Sequence, residues 1–271
     1  MRKKLDQEYI EKELGRVGAE LKEDITVYLI GGGAMALQGM KDATKDIDIV
    51  VINNQDFQSL IKTLKKSNYS DIEEMEPEYK ELGAKKILEN EEGCRFDIFN
   101  QQVVDKLIFS DSMQNRSKAL RTKDKLQIEI TSPEDIFLFK SVAGRTTDIE
   151  DMNTLIQSGL DFQTIAEEIE TQANLLDEEL FITHIGESLN KLQKKHKTTT
   201  PLSDILEDRI TSIYNQLEIL TKLNGETNID KLKKNTGMSQ EKLEKALNSL
   251  EENSNVEIEG KKVKETKEKK L

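Results

Sequence analysis

Residues 30–51, IGGGAMALQGMKDATKDIDIVV, set the tightest limit on what this chain can fold into. Just upstream, residues 25–31, ITVYLIG, form a β-branched apolar run that breaks at glycine, the pattern of a buried strand. The glycines then open a short Ala-, Met- and Leu-rich stretch that reads as a helix, and residues 46–52, DIDIVVI, read as a second strand. Alternate residues of a strand share a face, so Asp46 and Asp48 project together while Ile47 and Ile49 enter the core. Two such carboxylates, roughly 6–7 Å apart along a strand, repel more strongly as water is removed. A divalent cation between them reverses the sign of that term, and hard oxygen ligands favour Mg²⁺ or Mn²⁺.

A third acid stands in RFDIF, where Phe96 and Ile98 share one face and Asp97 takes the other. If that strand lies beside DIDIVV, the three acids converge. Three carboxylates can hold two metal ions about 3.5–4 Å apart, the spacing used for in-line phosphoryl or nucleotidyl transfer. Backbone N–H groups at a glycine-opened helix start can cradle phosphate oxygens, and a Cβ there would keep phosphates at a distance. The loop is neither G-x-x-x-x-G-K-[ST] nor G-x-G-x-x-G. A lone D-x-D in an acidic chain is usually a solvated face, and glycine runs usually mark ordinary turns. The conjunction favours a site, because acids flanked by Ile and Val in a core strand are costly without a task.

Composition narrows the partners. The 271 residues carry a formal net charge of −12, so a polyanion must meet a locally basic patch or have its charge masked by metal ions. One cysteine, Cys94, excludes an internal disulfide, and with only His184 and His196 beside it no typical zinc site can be built. No apolar run approaches the roughly 20 residues of a membrane span, and the start, MRKKLDQEYI, has no hydrophobic signal core. The expected location is the cytoplasm.

Apolar periodicity predicts helices over residues 5–23, 55–67, 147–157, 161–174 and 176–195. AKKILE and CRFDIFN read as strands around a turn at NEEG, and KLQIEI reads as another. In SPEDIFLFKSVAG, Ser132 is a natural N-cap, Pro133 suits the first helical position and Asp135 completes a capping-box-like pattern. KKHKTTTP (194–201) reads as a hinge, with Pro201 opening a helix to about Leu223. Beyond it, Ile229 and Leu232 mark a short helix ended by Gly237, and Ser239 caps a second carrying Leu243, Ala246, Leu247 and Leu250. VEIEGKKV then reads as a hairpin around Gly260. Two helices and a hairpin is the order of a winged helix-turn-helix. Its second helix, SQEKLEKALNSLEE, carries two Lys against four Glu, which argues against DNA binding through it and leans towards protein contact or substrate docking. The tail GKKVKETKEKKL forms a modest basic arm or a solvated end.

The glycine pair opening a helix, the D-x-D of the following strand and the distal acid of RFDIF resemble the signature of the polymerase-β-like nucleotidyltransferase superfamily. The similarity is nearest to small prokaryotic members, including nucleotidyltransferase-like toxins of toxin–antitoxin systems, and covers roughly residues 25–160. SPEDIFLFKSVAGRTTDIEDM is similar to a segment in those proteins where a Lys and an Arg face the triphosphate. From the elements the expected fold is α+β: a nucleotidyltransferase domain with a small mixed β-sheet flanked by helices (1–160), a helical region (161–224) and a winged-helix-like module with a basic tail (225–271), with no family resemblance beyond residue 200. The resemblance itself concerns the first of these. It implies transfer of NMP from an NTP to a hydroxyl of an RNA end such as tRNA, a protein or a small molecule, with release of pyrophosphate. Asp46 and Asp48 would hold both metals, and Asp97 would bind the catalytic metal and help deprotonate the acceptor. Gly32 and Gly33 would hold the triphosphate, and Lys140 and Arg145 would neutralise the leaving group. Helix-surface ion pairing with Asp148 and Asp151 is the competing reading of Arg145. Thr44 either shapes the turn or donates a hydrogen bond near the site. An antitoxin or other protein partner is implied if the protein is of the toxin type. The alternative is a non-catalytic DNA- or protein-binding regulator on a degenerate nucleotidyltransferase fold.

Overall fold

The computed structural model describes residues 3–72, 83–223 and 225–266. Helix α1 (Gln7–Glu20) opens at Asp6, whose side chain accepts from the Tyr9 N–H, and buries Ile10, Leu14 and Val17. It is shorter than the predicted 5–23 because Leu5 is taken out of the helix to bridge Thr44. Strand β1 (Ile25–Ile30) runs into α2 (Gly31–Leu37), and β2 (Ile47–Val51) leads to α3 (Asn54–Lys66), capped by Asn53. Next come β3 (Tyr69–Asp71), β4 (Lys86–Asn90) and β5 (Arg95–Asn100), then a small ribbon of β6 (Gln102–Val103) and β7 (Leu107–Ile108). Helix α4 (Asp111–Arg116) precedes the hairpin of β8 (Lys118–Lys123) and β9 (Leu126–Ile130).

Seven strands form one mixed sheet in the order β3-β4-β5-β2-β1-β9-β8. At its centre, β1 pairs antiparallel with β2, and β2 pairs parallel with β5. Strand β5 is buried along almost its whole length, Arg95 and Asp97 included. The sheet has more strands than the sequence suggested. Strands β3 and β8 are short or rich in lysine and arginine, the usual dress of an edge strand, which erases the apolar alternation that reveals a strand.

Helix α5 (Pro133–Ala143) begins as predicted: the Ser132 hydroxyl accepts from the Asp135 N–H, with Pro133 in the first turn. Ile136, Phe137, Leu138, Phe139 and Val142 are all buried, so this helix is surrounded. Gly144 ends it in the left-handed region (φ 61°), and α6 (Thr146–Gln157) starts at once. Helices α7 (Phe162–Leu176) and α8 (Leu180–His196) pack on, followed by α9 (Pro201–Lys222), opened by Pro201. One apolar core runs from Leu5 to Ile213, taking in α7, α8 and the first half of α9. A second gathers Ile219 of α9 with α10 (Ile229–Thr236), α11 (Gln240–Glu252), β11 (Val256–Glu259) and β12 (Lys262–Glu265). Strand β10 (Glu226–Asn228) joins β12, so the C-terminal sheet has three strands, one more than the predicted hairpin. The last five residues of the lysine-rich tail lie outside the described residues.

Buried polar contacts fasten α7 to the sheet domain. The Gln172 side chain donates to the Ile108 carbonyl and accepts from its N–H, which holds β7 as a strand neighbour would. Arg116 donates to Asp135 on α5 and to Glu168 on α7, both carboxylates being almost fully buried. Removing one partner of a buried ion pair strands the other charge, at a cost of about 3–5 kcal/mol. Arg116→Ala is therefore expected to lower unfolding stability by about 3 kcal/mol or more, read from urea denaturation. A change below about 0.5 kcal/mol would show that this pairing does not hold the helices to the sheet.

Candidate functional site

The parallel pairing of β2 and β5 places Ile47 opposite Phe96 and Asp48 opposite Asp97. Partners in register share a face of the sheet, so the two acids stand side by side. One step back, Arg95 lies beside Asp46, with Nε 3.7 Å from Asp46 Oδ1. The result is a two-by-two array on adjacent strands: Asp46 and Asp48 on one, Arg95 and Asp97 on the other. Strand β1 completes it from the other side, with Ile30 opposite Asp48, so the glycine turn that follows Ile30 lies against that acid.

Glycine is required at two of the three positions in that turn. Gly31 has φ 62°, and a Cβ there would lie 2.3 Å from Asp48 Oδ2. At Gly32 a Cβ would lie 2.5 Å from the Thr44 hydroxyl. At Gly33 the nearest atom would be the Asp46 carbonyl oxygen at 3.9 Å, an ordinary contact. The strict need thus falls one residue earlier than the pair Gly32 and Gly33 singled out from the sequence. Thr44 acts through both of its parts: its backbone exchanges hydrogen bonds with Leu5 (2.8 and 2.9 Å), and its side chain sits over Gly32. That exchange brings Lys4 to the cleft.

The cleft, about 470 Å³, is lined by Gly32, Thr44, Asp46, Asp48, Asp97, Lys140 and Arg145 among others. Seven of the eight residues singled out from the sequence therefore meet here, and Gly33 lies just behind. Lys4, Lys41, Asp42 and Lys45 also line it and were not anticipated, and Asp151, read from the sequence only as an ion-pair partner of Arg145, joins them. In a chain of net charge −12, this wall balances five aspartates with five lysine or arginine side chains. Such a local balance lets a polyanion approach an acidic protein.

Three of these cations, Lys41, Lys140 and Arg145, are held by acids. Lys140 Nζ donates to Asp148 (2.8 Å) and lies 2.9 Å from Asp151, while Lys41 also donates to Asp151 (2.7 Å). Arg145 forks onto Asp148 at 2.6 and 3.0 Å, and its backbone N–H donates to the same carboxylate. These pairs are buried rather than on a helix surface, since Asp148 is inaccessible to solvent. Although burial opposes it, Lys140 and Arg145 hold the Asp148 carboxyl down at about 2. Burial works against the charge of Lys140 as well, yet Asp148 and Asp151 push its pKa upwards.

Among the acids the balance is the reverse. Burial first, then the charge of Asp46, pushes the Asp48 carboxyl up to about 6, against the pull of Lys140, Arg145 and Arg95. Burial, then the charges of Asp48 and Asp46, raises Asp97 to about 7 despite Arg95. The excess negative charge at Asp46 and Asp48 and their hard oxygen donors suit a Mg²⁺-like cation. Asp97 differs from them. Arg95, almost fully buried, grips both of its oxygens, Nε to Oδ1 at 2.6 Å and a terminal nitrogen to Oδ2 at 3.0 Å. Among the described residues no group of three or more His, Cys, Asp or Glu side chains is arranged to hold a metal ion. The three acids read from the sequence share a cleft without forming a three-carboxylate cage. Arg95, assigned no role from the sequence alone, holds both oxygens of Asp97; its place two residues before Asp97, on the same face, was the available signal.

A family described as a nucleotidyltransferase of unknown function, DUF6036, matches residues 8–197. The chain belongs to this nucleotidyltransferase family. The match takes in the glycine turn, all three acids, Lys140 and Arg145, and ends at the left-handed cap of α8. It accords with the superfamily resemblance drawn from the glycines and the acids. No curated protein matches the chain. Among the described residues no helix is long and apolar enough to cross a membrane.

For this family member, the contrast between neighbouring glycines gives a direct check. Gly31→Ala must take a left-handed backbone, which costs about 1–2 kcal/mol, and must also displace Asp48. Gly33→Ala is expected to change stability by less than about 0.5 kcal/mol, because there is room for the methyl group. Denaturant midpoints that do not separate the two variants would show that Gly31 is not the strained position.

Proposed function

We propose that the chain is a metal-dependent nucleotidyltransferase that moves NMP from an NTP to a hydroxyl acceptor with release of pyrophosphate. The observation that supports this reading most is the register of Asp48 against Asp97 beside the glycine turn, within a cleft whose far wall carries Lys140 and Arg145. Asp46 and Asp48 would hold the divalent cation, which supplies charge neutralisation at the phosphoryl oxygens when bound. Gly32 lines the cleft beneath the Thr44 side chain, and the backbone of this turn would meet the triphosphate. Lys140 and Arg145 face the negative charge that builds on the departing pyrophosphate, and Asp148 and Asp151 keep them from folding away. Cations held in advance need little reorganisation during the reaction, which is where such electrostatic catalysis gains. Asp97, its carboxylate fixed by Arg95, orients the attacking hydroxyl and accepts its proton.

The acceptor is an RNA end such as tRNA, a protein or a small molecule. The C-terminal elements, two helices and a three-stranded sheet in winged-helix-like order, serve as the docking element for that acceptor or for a protein partner, an antitoxin if the enzyme is of the toxin type. The glutamates of α11 disfavour a phosphate backbone there. A regulator on a degenerate fold is the weaker reading, because all three acids are retained in one cleft.

Incubation of pure protein with Mg²⁺, each labelled NTP and either total tRNA or cell extract tests the proposal. The expected result is label on one acceptor class, with Asp48→Asn reduced by about 10²-fold or more. Absence of product from the wild type with every NTP, or full activity of Asp48→Asn, would remove the reading.

A further inference from the structure

The grip of Arg95 on Asp97 has a chemical consequence for the site proposed above, and it rests on that nucleotidyltransferase reading. A two-metal arrangement needs a carboxylate shared between two cations about 3.5–4 Å apart. Here the guanidinium already lies 2.6 Å from one oxygen of Asp97, 3.0 Å from the other and 3.7 Å from Asp46. It is the positive charge already held between Asp97 and Asp46. We propose that Arg95 is a built-in substitute for a second cation, so that the cleft takes one divalent ion, on Asp46 and Asp48, and Asp97 is a positioned carboxylate rather than a metal ligand.

Three observations carry the proposal. The first is register. Arg95 and Asp97 are alternate residues of β5 and share a face, and the parallel pairing with β2 sets that face beside Asp46 and Asp48. The strand geometry itself therefore delivers a positive charge into the middle of three acids.

The second is burial. Arg95 is 1% exposed, and arginine does not lose its proton in proteins. A metal ion could claim Asp97 only by expelling a buried guanidinium from a two-bond fork, or by sitting next to it in a low-dielectric site where like charges repel strongly. The third is the donor set itself: among the described residues no three acids are arranged around one metal position. Arginine suits the task because its planar fork matches a carboxylate, and it fixes the Asp97 oxygens in the plane of the guanidinium. Lysine would supply the charge as a point, without that orientation.

Isothermal calorimetry of the full chain with Mn²⁺ alone, backed by electron paramagnetic resonance of the free ion, tests this. The wild type is expected to bind one Mn²⁺ per chain. Asp48→Asn should weaken that binding by about tenfold or more, because a ligand is lost, while Asp97→Asn should change it by less than about threefold. Arg95→Lys keeps the charge and should also bind one. Arg95→Gln removes it and should admit a second Mn²⁺, a gain that a merely structural role for Arg95 would not produce. Should Arg95→Gln fail to fold, Asp97→Asn and Arg95→Lys decide the matter. Two Mn²⁺ on the wild type, a tenfold loss in Asp97→Asn, or a single Mn²⁺ on folded Arg95→Gln would overturn the inference. If label is still transferred from an NTP in those cases, the nucleotidyltransferase reading survives and only the role of Arg95 falls. If the wild type neither binds Mn²⁺ nor transfers label, both fall together.

Discussion

The parallel pairing of β2 with β5 fixes everything chemical about this molecule. A shift of one residue would turn every side chain of a strand to the opposite face. With Asp48 opposite Asp97 and Ile30 opposite Asp48, three strands deliver the two acids and the glycine turn to one place. The apolar residues between them, Ile47, Ile49, Phe96 and Ile98, lock that register from the other face, because all four are fully buried. Core packing and site geometry are thus one constraint: the hydrophobic face cannot slip without burying charge.

The second constraint is electrostatic. Acids inside a sheet raise one another's pKa and lower stability, and the chain offsets this with cations that are themselves anchored. Arg95 holds Asp97 from within the array. Lys140 from the last turn of α5 and Arg145 from the N-cap of α6 act on Asp48, and Asp148 and Asp151 hold them there. Gly144 makes this geometry compact: it ends α5 in the left-handed region, and a Cβ would meet the Ser188 hydroxyl at 2.7 Å. Two helices thereby meet within a few residues and bring Lys140, Arg145 and Asp151 to one wall of the cleft, with Asp148 buried behind them. Membership of a nucleotidyltransferase family gives that wall a chemical setting.

Much of this was legible in the sequence, and the part that was not has physical causes. Alternation in DIDIVV and RFDIF announced two buried strands with acids on one face, and Ser132, Pro133 and Gly237 marked helix ends through local backbone chemistry that depends on no distant contact. Strands β3, β8 and β10 escaped notice because edge strands carry charge and lack an apolar rhythm. The need for glycine at 31 rather than 33 was hidden, since the atom that excludes a side chain belongs to Asp48, seventeen residues away. Lys4 was unreadable for the same reason, as only the pairing of Leu5 with Thr44 brings it near. Arg95 was visible, but its partner could be named only once Asp97 was known to point inward with it.

The proposed chemistry requires nucleotide and cation to meet at the β2–β5 array. Crystals grown with MnCl₂ and a non-hydrolysable NTP analogue, measured for the anomalous signal of manganese, address that directly. The expected map has a manganese peak against the carboxylates of Asp46 and Asp48, with the triphosphate lying between Gly32 and the side chains of Lys140 and Arg145. A nucleotide bound elsewhere on the chain, or manganese remote from Asp46 and Asp48, would contradict it.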